Sequence, residues 1–155
     1  MPKIDPEACP ELTGTRYPEP FRAPVKDRVW RAIGEAAGLK DFGANLVTLR
    51  PGVWSSQRHW HYEDDELLVM LEGELVLIED AGRTILRAGD IAAWPKASRD
   101  GHHVINESEA EARFLVVGAN KGGAAYPAID LAYRKGEKFF RHDDGKPYRV
   151  WERDE

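Results

Sequence analysis

Residues 66–94 read ELLVMLEGELVLIEDAGRTILRAGDIAAW, four apolar runs separated by turn residues. Glu66–Glu72 stops at Gly73, Glu74–Glu79 follows at once, Asp80–Gly82 turns the chain into Arg83–Arg87, and Ala88–Asp90 turns it into Ile91–Trp94. Short runs rich in aliphatic residues and bounded by Gly and Asp are strands joined by tight turns. Working outward, Asn45–Arg50 precedes the turn Pro51–Gly52, and His102–Asn106 and Glu111–Gly118 follow. Nothing between these runs is long and helical enough to serve as a crossover to a parallel strand. Six or seven short strands at near-even spacing predict an all-β fold, a sandwich or a barrel.

The flanks differ from this centre. Pro2, Pro6, Pro10, Pro18, Pro20 and Pro24 crowd the first residues, and repeated Pro blocks both helices and strand ladders, which predicts an extended N-terminal arm over residues 1–27. Arg28–Leu39 is ambiguous: Ala32, Ala36 and Ala37 favour a helix, Gly34 and Gly38 weaken it, and a strand with a turn fits as well. Lys121–Ala125 (KGGAA) reads as a flexible joint. Beyond it a C-terminal tail, 121–155, scatters Tyr126, Tyr133, Phe139, Phe140, Tyr148 and Trp151 among charges. These aromatics suit packing on the barrel or a dimer contact, with a lid as the alternative. The expected organisation is a single domain over 1–155 with its barrel at about 43–118.

Composition narrows the partners. The chain has 155 residues, with 22 Lys and Arg against 27 Asp and Glu, a formal net charge of −5. That balance argues against nucleic acid, whose binding needs a basic field over phosphates. Cys9 is the single cysteine, so neither an internal disulfide nor a thiolate zinc cage can form. No apolar run approaches the roughly 20 residues of a membrane span, and the opening MPKIDPEACPEL lacks the features of a signal peptide. A cytoplasmic protein is expected. A homodimer is expected too, because arm and tail are suited to covering a neighbour's edge strands.

The chemistry concentrates in Arg58-His59-Trp60-His61. Residues two apart on a strand share a face, so His59 and His61 can aim two imidazoles at one point. Tyr62–Asp65 separate His61 from Glu66. A hairpin there would return the Glu66 carboxylate beside them. One of His102 and His103 would complete the set, since neighbours on a strand face opposite ways. If Val104 is inward, His102 is the ligand; if Ile105 is inward, His103 is, and periodicity leaves both open. Nitrogen and oxygen donors without thiolate suit one divalent transition ion: Mn, Fe, Ni or Zn.

These residues resemble the motifs of a small single-domain cupin, over about Gly43–Gly118. The first cupin motif reads here Gly52, six residues, His59-Trp60-His61, four residues, Glu66, six residues, Gly73; the first gap is one longer than usual. For the second motif Gly89 and Pro95 fit, and His102 stands four before Asn106, while Ala97 stands where a Gly is expected and KASRDG is two residues longer than the usual segment. The resemblance implies a double-stranded β-helix, or jelly roll, with a metal near one mouth held by His59, His61, Glu66 and His102. The surroundings of Trp60, Asp65 and Gly101-His102-His103 look closest to short bacterial cupins labelled sugar-phosphate isomerases.

Such a site would make the chain a metal-dependent cupin acting on a small oxygenated or anionic metabolite, by isomerase, lyase or oxygenase chemistry. The alternative is a non-catalytic cupin that binds a small ligand as a sensor. An acid or base lining the open side of the metal would favour the enzyme. The sequence assigns no general base: Tyr62, Asp64, Asp65, Lys96, Arg99 and Asp100 are near in the chain but read more readily as solvated turn residues. Lys96 and Arg99 could hold a carboxylate or phosphate. Trp54, Trp60 and Trp94 are candidate pocket walls.

Overall fold

The computed structural model describes residues 2–149, and it keeps the alternation read at residues 66–72: Leu68 and Met70 are buried while Leu67 and Leu71 are exposed. In chain order the strands are β1 (Leu12–Thr13), β2 (Val29–Arg31), β3 (Gly43–Leu49), β4 (Trp60–His61), β5 (Glu66–Glu72), β6 (Glu74–Glu79), β7 (Gly82–Arg87), β8 (Ile91–Trp94), β9 (His103–Ile105), β10 (Ala112–Gly118), β11 (Ala124–Ala125) and β12 (Ala132–Tyr133). One helical turn, α1 (Ile33–Ala36), stands between β2 and β3. The ambiguous stretch is thus strand and helix in succession, and Gly34 is needed there because a Cβ would lie 2.9 Å from the Ala44 amide nitrogen.

Six strands form one antiparallel sheet in the order β1-β2-β3-β10-β5-β8. Opposite it, β7-β6-β9 form a second sheet, continued by isolated bridges from Trp54 to Ile105 and from His59 to His102. Both sheets feed one core, in which Leu49, Met70 and Phe114 of the first meet Leu75, Leu77 and Val104 of the second. This is the double-stranded β-helix. Each such fully buried aliphatic side chain contributes about 1.5–3 kcal/mol. Gly73, at φ 76°, closes the β5–β6 turn so tightly that a Cβ would sit 2.7 Å from the Glu111 carbonyl oxygen.

Two expectations for the flanks need correction. The arm is not merely extended, since β1 pairs with β2 of the same chain. Lys121–Ala125 is not a free joint, since Gly122 and Gly123 at positive φ lead into β11, which pairs with β4 and β12. The packing reading of the aromatics holds for the described parts of arm and tail. They build a second apolar cluster on this chain's own barrel, where Tyr17 and Val25 pack with Tyr126 and Leu131, joined by Phe21, Phe140 and Tyr148. Burying that aromatic surface locally satisfies both segments at once. Trp151 lies outside the described residues. Among these residues no helix is long and apolar enough to cross a membrane.

Candidate metal centre

Strand pairing brings the histidines together. His59 and His102 form a bridge, with His59 N–H donating to the His102 carbonyl at 3.2 Å and the reverse bond at 2.9 Å. Two residues on, His61 is held in β4 by its pairing with Ala124 of β11. The expected hairpin to Glu66 does not form. β5 pairs with β10 and β8 instead, so Glu66, opposite Trp94 in that register, reaches the histidines from the facing sheet. The loop Tyr62–Asp65 makes the crossing because its carboxylates are tied down, Asp64 accepting from the Lys121 amide at 2.8 Å and Asp65 from the Lys96 amide at 2.9 Å.

The donor atoms of His59, His61 and Glu66 all lie within 4.8 Å of one another. His59 Nε2 is 3.1 Å from His61 Nε2, which is 2.8 Å from Glu66 Oε2. His102 Nε2 is 3.6 Å from Glu66 Oε1. His59 Nδ1 lies 2.8 Å from the Gln57 carbonyl oxygen. A carbonyl only accepts, so Nδ1 carries the proton and Nε2 presents a lone pair to the cluster.

Burial, followed by the neighbouring His61, lowers the His59 pKa from 6.5 to about 3. Burial also pulls His61 down, but the hydrogen bond and charge of Glu66, with Asp64, outweigh it and leave His61 above its usual value. For Glu66 burial acts upward, and the His102 and His61 imidazoles override it and hold the carboxyl well below the usual carboxylate range. The cluster is therefore a carboxylate among imidazoles, with the His59 lone pair on hand.

His102 and His103 part company as neighbours on a strand must. His102 lies inside on the same face as Val104, stacked on Trp94 with ring centroids 3.8 Å apart. Both of its ring nitrogens are buried with no hydrogen-bond partner. His103 faces the other way, with Nδ1–H donating to the Ser56 carbonyl at 2.9 Å and its ring against Trp54.

The cluster opens into a cavity of about 360 Å³. Arg28, Glu35, Asn45, Asp64 and Asn120 supply polar lining, and Leu68, Phe114 and Val116 apolar lining. Of the turn residues weighed from sequence, Asp64 lines the cavity, while Tyr62, Asp65, Lys96, Arg99 and Asp100 do not. Of the three tryptophans only Trp94 is a wall; Trp60 packs on Tyr62 instead.

The fold has counterparts. A family model described as a cupin domain matches residues 45–118. The chain is similar to a sugar phosphate isomerase of the cupin superfamily from Silicibacter pomeroyi: 38% identity, TM-score 0.89, covering 96% of this chain and 97% of that one. The chain belongs to the cupin superfamily. This cupin is also similar to a provisionally named sugar phosphate isomerase from Acidithiobacillus ferrooxidans, with 25% identity, a TM-score of 0.70 and 81% of each chain covered. With the polyketide cyclase RemF from Streptomyces resistomycificus, 18% identical at a TM-score of 0.63 over 92% of this chain and 85% of that one, it shares the fold. No curated protein matches the chain.

The donor set of this cupin fits a metal ion. An imidazole buried without a partner at either nitrogen is costly unless a ligand satisfies it, and His102 is in that position beside an anionic carboxylate and two more imidazoles. Of the residues that sequence reasoning missed, Arg28, Glu35 and Asn120 come from segments flanking the barrel and Asn45 from β3 within it. No local pattern marks them, because only closure of the fold brings them to the cavity.

Proposed function

We propose that this cupin is a metal-dependent isomerase of a small phosphorylated sugar, with His59, His61, Glu66 and His102 holding one divalent ion of Mn, Fe, Ni or Zn. The observation that carries the reading is the buried, unpartnered His102 imidazole facing Glu66. The 38% identity to the Silicibacter pomeroyi sugar phosphate isomerase, over nearly the whole of both chains, supports the substrate class. A divalent ion bound there supplies Lewis-acid polarisation of a carbonyl or hydroxyl oxygen. Glu35 and Asp64 line the cavity and are the carboxylates placed to take or return a proton on a substrate carbon. Arg28, whose Nη1 donates to the Ser55 carbonyl at 2.7 Å, offers a guanidinium on the cavity wall to an anionic group. Acidic groups at the cavity favour an enzyme over a purely ligand-binding sensor.

A homodimer in the cytoplasm belongs to the same proposal. Leu67, Leu71 and Ile91 stand exposed on the outer face of β5 and β8, and light scattering at micromolar concentration checks the dimer. The decisive experiment is elemental analysis of protein purified without a histidine tag, then a screen of the metal-loaded protein against aldose and ketose phosphates. One ion per chain with interconversion of one such pair is the expected result. Protein that takes up no ion sinks the reading.

A further inference from the structure

His103 and the N-terminal arm are both anchored to the backbone beside His59. The Ser56–Gln57 peptide is gripped on its two sides. Its carbonyl, Ser56 O, accepts from His103 Nδ1–H at 2.9 Å. Its N–H, from Gln57, donates to Tyr17 Oη at 3.3 Å. The Gln57 side chain adds a third tie, with Nε2 donating to the Phe21 carbonyl of the arm at 2.9 Å. The next carbonyl, Gln57 O, receives the His59 Nδ1 proton at 2.8 Å. Gln57 and His103 are both buried, so solvent offers these groups no equivalent partners.

The arm is itself braced for this. Buried Arg22 donates to the Thr15 carbonyl at 3.0 Å. Tyr17 packs between Tyr126 and Phe140, with ring centroids at 5.9 and 5.0 Å. Tyr126 in turn lies against the His59 ring at 5.6 Å. Arm, tail and β9 thus converge on one peptide and one imidazole.

We propose that Tyr17 and His103 are positioning residues for His59: by clamping the Ser56–Gln57 peptide they set the Gln57 carbonyl as acceptor for Nδ1–H, and so turn Nε2 inward as a metal donor. The inference rests on the reading of the four side chains as a metal centre. A ligand histidine is normally fixed through its other ring nitrogen, and loss of such an outer contact weakens metal binding by about 10- to 100-fold. Here the nearer outer contact is a main-chain carbonyl, at 2.8 Å against 3.3 Å for Ser56 Oγ, so its direction must be held by whatever holds the main chain.

The test uses the full chain in two measurements. In metal-free protein, long-range proton–nitrogen NMR reads the His59 tautomer; the wild type holds the Nδ1–H form, and Tyr17→Phe and His103→Leu mix in the other. In Co(II) titrations the same two variants lose about tenfold or more in affinity, and His103→Asn, which keeps an N–H at the Nδ1 position, regains most of it. Tyr17→Phe retains the aromatic ring, so its packing survives. Both variants keeping the wild-type tautomer and wild-type Co(II) affinity would overturn the clamp. Wild-type protein that takes up no Co(II) defeats the metal reading instead, and the tautomer measurement then still decides the clamp.

Discussion

Trp94 lies flat on His102, their ring planes 4° from parallel. Its indole N–H donates to Glu79 Oε1 at 2.7 Å. His102 has no hydrogen bond to orient it, so the stack does that work, with Glu79 fixing the indole. An open-shell ion on His102 would therefore quench Trp94. Co(II) or Ni(II) should lower tryptophan emission in the wild type, and most of that loss should vanish in Trp94→Phe. Equal quenching in both proteins would place the ion elsewhere.

Ligand substitutions should rank in a set order. His59→Ala combined with His61→Ala should abolish stoichiometric metal in elemental analysis. His102→Ala should cost at least tenfold more affinity than His103→Ala, because the first removes a donor and the second only an outer contact. A reversed order would return the ligand role to His103.

Protons act on the metal-free centre in opposing directions. His59, lowered to about 3, refuses a proton that the unfolded chain accepts at 6.5. Its stabilising contribution is complete above 6.5 and is lost as the pH falls toward 3. Glu66, held low mainly against its own burial, adds a loss below its ordinary 4.5. His61, raised by Glu66 against burial, does the reverse, contributing below 6.5 and fading as the pH climbs through its raised value. Denaturant unfolding of metal-free protein should show stability falling between pH 6.5 and 4, with a shallower fall in His59→Gln. Parallel curves would refute the buried neutral imidazole.

Ala97 occupies the position where the motif calls for Gly, and its φ is 57°. A Cβ there costs about 1–2 kcal/mol, partly offset by the greater freedom of Gly in the unfolded chain. Ala97→Gly should raise stability by about 0.5–1 kcal/mol, read as a higher melting temperature. A lower one would contradict the strain.

Asn106 is a structural anchor. Its Nδ2 donates to the carbonyls of Leu49 and Ala110 at 2.8 Å each, and its Oδ1 accepts from the Ser108 amide at 3.0 Å. Asn106→Ala strands buried backbone groups and should cost roughly 2–4 kcal/mol in urea unfolding. A change below about 0.5 kcal/mol, the size of an ordinary surface effect, would show that the loop does not need it.

Period-two alternation and turn residues are local signals, so the sequence alone determined the strands of residues 66–94 and the shared face of His59 and His61. It also carried the family resemblance, since the typed positions from Gly52 to Gly73 lie close together in the chain. The tertiary structure decided the rest. Glu66 reaches the histidines from the opposite sheet because β5 pairs with β10 and β8. His102 turns inward because its bridge to His59, just before β9, places it on the core-facing side with Val104. The cavity rim and the arm's grip on Gln57 join residues far apart in the chain. Such contacts follow from closing two sheets over one core, and a pairing chosen by total burial leaves no local mark in the sequence.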